Sequence, residues 1–404
     1  MGDLAIPDSK YLIEQLKLLV DNPEALGYGG DEAQRLEIQR LTRLASVALE
    51  TPPETTERVI FAYLPLVTAR ISTDFKIIAT LVKGSVANPV PLSTFVEASG
   101  LDKWLVTSIL DFHCYEGAAI EPRQGFYAPT KLTRNMTDPS FIHSSTTFHD
   151  MVSPGFGALH RLLKNGPDQP GQTTAFQVGQ HTTGTFYDWI EARPEVHEAF
   201  YGYMAGLHAI MARWINSVNF DEDFARDATE NDVVFVDVGG GDGGQCLEVQ
   251  SKHKLGGRII LQDRAAVIEK ATKAKEAGIE TIVHDFFTEQ PIKGARVYCI
   301  QFCLLNWNDE DCVRILAAQT PALGPDSVLL ISDYVQGLRW ENEGGPLEAD
   351  IFTPSVALSS HVCHGAKGRS RADYRDLLER AGLELKEVKP LTSFGQALII
   401  AKKP

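Results

Sequence analysis

VVFVDVGGGDGGQCLEV, residues 233–249, is the stretch around which the rest of this 404-residue chain is organised. A β-branched, apolar run enters Gly239, Gly240 and Gly241, passes Gly243 and Gly244, and opens into a helical pattern. Glycines at such a turn let the backbone fold sharply and approach a ligand with no Cβ in the way. Residues 239, 241 and 244 satisfy G-x-G-x-x-G, which dinucleotide binders and methyl-donor binders share, so the motif alone does not choose between them. Working outward, IILQD ends on Asp263, 20 positions after Gly243, where a carboxylate is suited to accept from a ribose diol. The next strand pattern ends VHDFF, bringing Asp285 and Phe286 to where an adenine amino group and ring face can be held. Three successive strand ends thus deliver a polar group to one rim.

Five short apolar runs follow residue 231: VVFVDVG, GRIILQD, ETIVHDF, ARVYCIQF and SVLLISDYV. Helical patterns separate them, which is the rhythm of a doubly wound, parallel α/β sheet. The tail adds a helix and two strands, LELKEVKP and QALIIAKK. A nicotinamide-dinucleotide fold usually begins with its glycine loop, whereas this loop comes after 230 residues of helical preamble. Asp237, beside the loop, suits a cationic ammonium group and would oppose a pyrophosphate. Both features favour a methyl donor.

The preamble has three textures. Residues 9–22 and 31–50 space leucines and isoleucines at i, i+3, i+4, as amphipathic helices do. With no core of their own to cover, they are expected to pack on a partner subunit or back onto the same chain. Residues 76–135 read as three helices and a small hairpin (EPRQGFYAPTKLTR), a winged-helix unit. The chain carries 38 Lys and Arg against 53 Asp and Glu, a net charge of −15, and this unit has no basic cluster. Nucleic acid and anionic membrane are therefore poor partners, and the unit is read as structural. Residues 139–220 are mostly helical and rich in aromatics, Phe186 and Trp189 among them, as an apolar small-molecule pocket requires. The expected division is 1–135 (helical dimerisation and winged-helix region), 136–220 (helical linker and pocket roof) and 221–404 (Rossmann-like domain). Six scattered cysteines, without CxxC or a Cys/His ligand cluster, read as reduced thiols, with no metal site. MGDLAIPDSKYLIEQLK has no secretory pattern and no run of 18 apolar residues occurs, so no membrane span is expected and the cytoplasm is the default.

VDVGGGDGG, LQD, HDFF, LLNWNDEDCVRIL, LISDY and GAKGRS occur in an order that resembles the caffeic-acid-like, S-adenosylmethionine-dependent small-molecule O-methyltransferases, the fungal secondary-metabolism branch in particular. The resemblance covers nearly the whole chain. It implies a helical dimerisation and winged-helix region joined to a Rossmann-like class I methyltransferase domain, a homodimer, and S-adenosylmethionine or S-adenosylhomocysteine as ligand. It implies cofactor contacts from Asp237, Gly239, Gly240, Gly241, Asp263, Asp285 and Phe286, with Gln301 and Trp307 nearby. Met204 would line the substrate pocket.

One segment departs from that family. Its members carry a His, in an L-H-D-W-S-D-E pattern, that deprotonates the substrate hydroxyl. With the register set by Trp307 and Asp309-Glu310, the His position here is Leu305, followed by Asn306. One orienting acid falls on Asp333, shortened from Glu, and the other, Glu in GGKERT, falls on Gly368. Either the register slips by one or another His, such as His361 or His364, serves; otherwise methyl transfer is lost. The pattern resembles the leporin-type pericyclases, which dehydrate a pyridone alcohol to a quinone methide and steer Diels–Alder, hetero-Diels–Alder or Alder-ene closure. On that reading Leu305 and Asn306 wall the pocket with Phe186, Trp189, Met204 and His361. A proton shuttle is then expected from His149, with His143 and then His361 as alternatives, the first two in FIHSSTTFHD, while Asp333 on the opposite rim is expected to hold a donor in place. A true O-methyltransferase and an inactive regulatory binder are the remaining readings.

Overall fold

The computed structural model describes residues 8–22, 32–254, 256–338, 352–392 and 395–404. Contacts divide the chain after Val67 into two compact units. In the first, both expected helices form, over Ser9–Asp21 and Glu32–Ala48, and a third spans Pro52–Ile60. Asp31, the expected start of the second helix, lies outside the described residues. Thr51 and Glu54 close a capping box ahead of Pro52, satisfying helix donors that would otherwise be orphaned. Leu12, Ile13, Leu16, Leu36, Leu41, Leu44 and Val47 are all exposed, and no residue of Ser9–Asp21 is buried.

The second unit opens on helices Ile77–Leu81, Leu92–Ser99 and Lys103–Tyr115 and a three-stranded sheet. Its strands β1 (Val90–Pro91), β2 (Ala119–Arg123) and β3 (Phe126–Pro129) run in the order β1-β3-β2. Leu81, Phe95, Val106, Leu110 and Tyr127 make its core. Beside it, the buried Ser72 hydroxyl and His113 Nε2 bond at 2.7 Å. Burial pushes His113 down to about 4, keeping the ring neutral.

A helical region follows, with helices Pro139–Thr146, Ser153–Asn165, Ala175–Gly179, Phe186–Glu191 and Pro194–Ile210. Thr147–Val152 is π-helical, a rare winding. Gly202 and Gly206 lie four residues apart on the Pro194–Ile210 helix; a Cβ on either would strike His143 or Ser140. The pair therefore sets how closely that helix crosses Pro139–Thr146.

All five expected parallel strands form: β4 (Val233–Val238), β5 (Arg258–Asp263), β6 (Glu280–Val283), β7 (Val297–Gln301) and β8 (Val328–Gln336). The two-residue β9 (Arg369–Ser370) pairs with the end of β8. β10 (Glu384–Pro390) and β11 (Gln396–Lys402) complete the main sheet, whose order is β10-β11-β8-β7-β4-β5-β6. Only β11 runs antiparallel to its neighbours β8 and β10; the other main-sheet pairs are parallel. Helices cover both faces. Helices Asp309–Gln319 and Arg371–Arg380 bury Tyr298, Ile300, Leu329 and Ile331 on one, while Trp214, Phe220 and helix Gly244–Lys252 bury Phe235, Leu330 and Leu398 on the other. This is the class I methyltransferase fold. Strand order reverses between β4 and β7, and at such a switch point the strand C-termini open a crevice for a ligand.

Candidate functional site

The glycine loop leaves β4 at this crevice. Gly239, Gly241 and Gly243 hold φ of 73°, 63° and 86°, a left-handed region that side chains disfavour. The Gly239 and Gly240 N–H groups donate to the Gln262 carbonyl at 2.8 and 3.1 Å, tying the loop to the end of β5. A Cβ on Gly240 would run into the Asp237 carboxylate, and one on Gly239 would lie 3.3 Å from Phe286 Cε1. Asp237 itself is fully buried, and its Oδ1 finds no partner among the described residues. Burial, reinforced by the charge on Asp263, pushes it up to about 7. Asp263 accepts from the Gly241 N–H at 2.9 Å through Oδ2 and from the Arg264 N–H at 2.7 Å through Oδ1. Each oxygen keeps a lone pair free.

Three buried glutamines brace this rim, and none announces itself in the sequence. Gln262 and Gln290 exchange amide hydrogen bonds at 2.8 Å, and Gln290 also donates to Gln319 at 2.9 Å. Gln319 donates in turn to the Phe286 carbonyl at 3.2 Å. The Ile292 N–H donates to Gln290 Oε1 and Gln319 donates to backbone carbonyls, so each amide has one orientation that satisfies it. Phe286, half-buried, meets Phe287 and Trp307 edge-on at 5.2 and 6.0 Å. Asp285 is exposed and accepts from the Phe287 N–H at 3.0 Å, capping its own turn. Gln301, at the end of β7, has a buried Oε1 without a partner among the described residues.

After Gln301 the chain turns through Phe302, a non-glycine residue at φ 49° and so strained. Leu304–Asn306 then form one 3₁₀ turn. Arg369, only 1% exposed, grips this turn: Nη1 donates to the Leu304 carbonyl at 2.9 Å, Nη2 to the Trp307 carbonyl at 2.6 Å, and Nε to Asp309 at 3.0 Å. Leu305 and Asn306 are half-buried on the held turn.

Asp333 corrects one expectation. Strand alternation turns it to the side of Ile331 and Val335, so its carboxyl is fully buried toward Tyr374, Arg369 and the Leu305 backbone. Burial pushes it up to about 6, although the Tyr334 N–H, Tyr374 and Arg369 oppose the shift. Its Oδ1 accepts from the Tyr334 N–H at 2.8 Å, while its buried Oδ2 has no hydrogen-bond partner among the described residues. Gly368 is likewise occupied: a Cβ there would collide with the side-chain amide of Gln336, which fills that space from β8.

The roof residues sort by helical face. Phe186, Trp189 and Ile190, at i, i+3 and i+4, are buried against Phe176 and Val362. Phe186 and Trp189 are thus core residues first, a second correction. Tyr187, on the other face, is half-buried, and its hydroxyl accepts from Asn306 Nδ2 at 3.2 Å. His364 stacks on Tyr187 at 5.4 Å and 28°. The pocket expectation for His361 is corrected as well: its ring is exposed, and Nδ1 bonds the Ala366 carbonyl at 3.0 Å. The helix Phe352–His364 turns its next-but-two residue, His364, inward instead. Met204 is half-buried on the Pro194–Ile210 helix.

His149 lies in the π-helical stretch and bonds Asp150 at 2.5 Å through Nδ1. Asp150 also receives Arg70 Nη2 at 3.0 Å; burial raises it, but Arg70 and His149 hold it below the usual carboxylate range. His143 packs its ring against Gly202 instead.

Residues 181–384 match the O-methyltransferase domain family. The chain belongs to it. Among curated relatives of this O-methyltransferase-family protein, methyltransferase cfoC of Aspergillus candidus is 28% identical and covers 90% of both chains. The demethylsterigmatocystin 6-O-methyltransferase of Aspergillus flavus is also 28% identical, over 92% of this chain and 94% of its own. Among solved structures, LepI in complex with SAM superposes with a TM-score of 0.80 at 23% identity, covering 98% of this chain and all of LepI. OxaC in complex with SAH and oxaline gives 0.80 at 19% identity over 98% and 100%. A pericyclic reaction enzyme gives 0.80 at 23% over 97% and 100%. At these identities the superpositions speak for the fold. The family's cofactor is S-adenosylmethionine, and among the described residues no helix is long and apolar enough to cross a membrane.

Proposed function

We propose that this protein binds S-adenosylmethionine at the β4–β5–β6 rim and catalyses a pericyclic closure of a flat polyketide or pyridone-like substrate, in place of methyl transfer. Residues at that rim fit the cofactor. Asp237 Oδ1, and Gln301 Oε1 at the adjoining end of β7, are buried acceptors without donors among the described residues, which an ammonium group and hydroxyls supply. Asp263 keeps acceptor capacity for a ribose diol, the loop glycines admit close backbone approach, and Phe286 offers a ring face beside Gly239, with Asp285 and Trp307 at its flanks. Bound there, the cofactor contributes a fixed positive charge at its sulfonium.

The observation that carries the reading is the turn itself. Leu305 stands where a base is needed, Asp333 is fully buried, and Gln336 fills the space over Gly368. A methyl transfer to oxygen requires the hydroxyl to lose its proton, whereas a pericyclic step requires a shaped apolar site and a polarised carbonyl. Leu305 serves the second need. His149, oriented by Asp150 and Arg70, is the side chain we assign to proton movement in a preceding dehydration, with His143, packed against Gly202, as the alternative. The protein is further proposed to act as a homodimer through the exposed leucine stripes of the Ser9–Asp21 and Glu32–Ala48 helices, with the winged-helix-like unit structural.

O-methyl transfer is the second reading, favoured because the sequence relatives are named as methyltransferases. Incubation with labelled methyl donor and the producing host's metabolite extract separates the two. Label entering a product in step with S-adenosylhomocysteine release would overturn the pericyclase reading. His149→Ala is expected to slow turnover ~10²-fold with cofactor affinity intact; full-rate turnover would remove His149 from the mechanism.

A further inference from the structure

We propose that Tyr187, fixed by Asn306 and His364, is a hydrogen-bond donor for a carbonyl or enolic oxygen of the substrate. This deepens the reading above and rests on it for the reaction served, though not for the binding. A phenol oxygen can accept two hydrogen bonds and donate one. Here it accepts from Asn306 Nδ2 at 3.2 Å, and among the described residues its own proton finds no acceptor. The proton is therefore available to a ligand.

The ring carrying it is held on several sides. His364 stacks on it at 5.4 Å, Phe186 meets it edge-on at 5.5 Å and 84°, and Phe200 lies at 6.5 Å. The Arg264 guanidinium, next to the Asp263 strand end, sits 5.8 Å from the ring centroid. Asn306 is itself immobilised, because Arg369 grips the carbonyls on either side of it. A donor held before the substrate arrives needs no reorganisation when it is used, which makes it effective at polarising an oxygen. Burial raises the Tyr187 phenol and lowers His364 to about 4, so both stay neutral. The cluster can polarise an oxygen without taking a proton from it, which the Leu305 turn also cannot do.

Calorimetry on the full chain with bound S-adenosylhomocysteine tests this, using 5-phenyl-4-hydroxy-2-pyridone and 3-phenylpyridine as probes of matched shape. Wild type is expected to prefer the oxygen-bearing probe, and Tyr187→Phe to reduce that preference ~5–10-fold, the size of one neutral hydrogen bond. Asn306→Asp should do the same, because a carboxylate accepts only and captures the Tyr187 proton. Unchanged S-adenosylhomocysteine affinity certifies each variant as folded; if Tyr187→Phe fails that check, Asn306→Asp decides. Absence of the preference in wild type, or its survival in the folded variants, overturns the proposal. Methyl label entering product would overturn the pericyclic reading while leaving this preference in place.

Discussion

The two halves of the sheet's C-terminal rim are built on opposite plans. Along β4, β5 and β6 the groups at the rim are largely backbone N–H groups, strand-end carboxylates and a loop whose Gly239, Gly240 and Gly243 leave little room for a Cβ. Along β7, β8 and β9 the turn is held as firmly, by Arg369, but the side chains presented are leucine, asparagine and glutamine, with Tyr187 reaching Asn306 from the roof helix. A fold can keep one half of its crevice for a ligand and exchange the chemistry of the other, because the scaffold constrains backbone and core while reactivity resides in a few side chains.

The largest expected effect breaks the second half. Arg369→Met removes the guanidinium donors from the Leu304 and Trp307 carbonyls and one partner from Asp309, leaving the Trp307 N–H, the Cys312 thiol and Lys367 in their place, so chemical denaturation should report a loss of ~2–4 kcal/mol. A loss under ~1 kcal/mol would mean the turn is held by something else. Asp263→Ala tests the first half, removing the carboxylate that Gly241 and Arg264 orient. Calorimetry should show S-adenosylhomocysteine binding weakened by ~1.5–3 kcal/mol; unchanged affinity would remove this strand end from the cofactor site.

The smallest effect sharpens the contrast through pH. Burial pushes Asp237 up to about 7 without ligand, so the fold favours its protonated form. Its contribution to stability is whole below the ordinary carboxylate range and is lost as pH rises through 7. Ligand-free Asp237→Asn, which stays neutral, should therefore melt above wild type by ~2–4 °C at pH 8, with the gap narrowing toward pH 5.5. Saturating S-adenosylmethionine should reverse the order at pH 8, since only the carboxylate pairs with an ammonium group. A gap independent of pH would show that Asp237 does not titrate in this range.

Much of the first half was legible in the chain. The glycine run, LQD and HDFF lie at the ends of β4, β5 and β6 because strand ends follow from local apolar runs and turn residues, which are read a few positions at a time. Leu305 was legible too, since Trp307 and Asp309 anchor its register. Only the tertiary structure decided what surrounds it. Arg369 reaches the turn from 62 to 65 residues away, and Tyr187 meets Asn306 across 119. Asp333 reads as a rim acid, yet strand pleating turns it into the protein, and His364 rather than His361 faces inward by the rotation of one helix. Periodicity along a chain records which faces are apolar; which polar groups meet depends on how distant elements pack, and no local pattern carries that information.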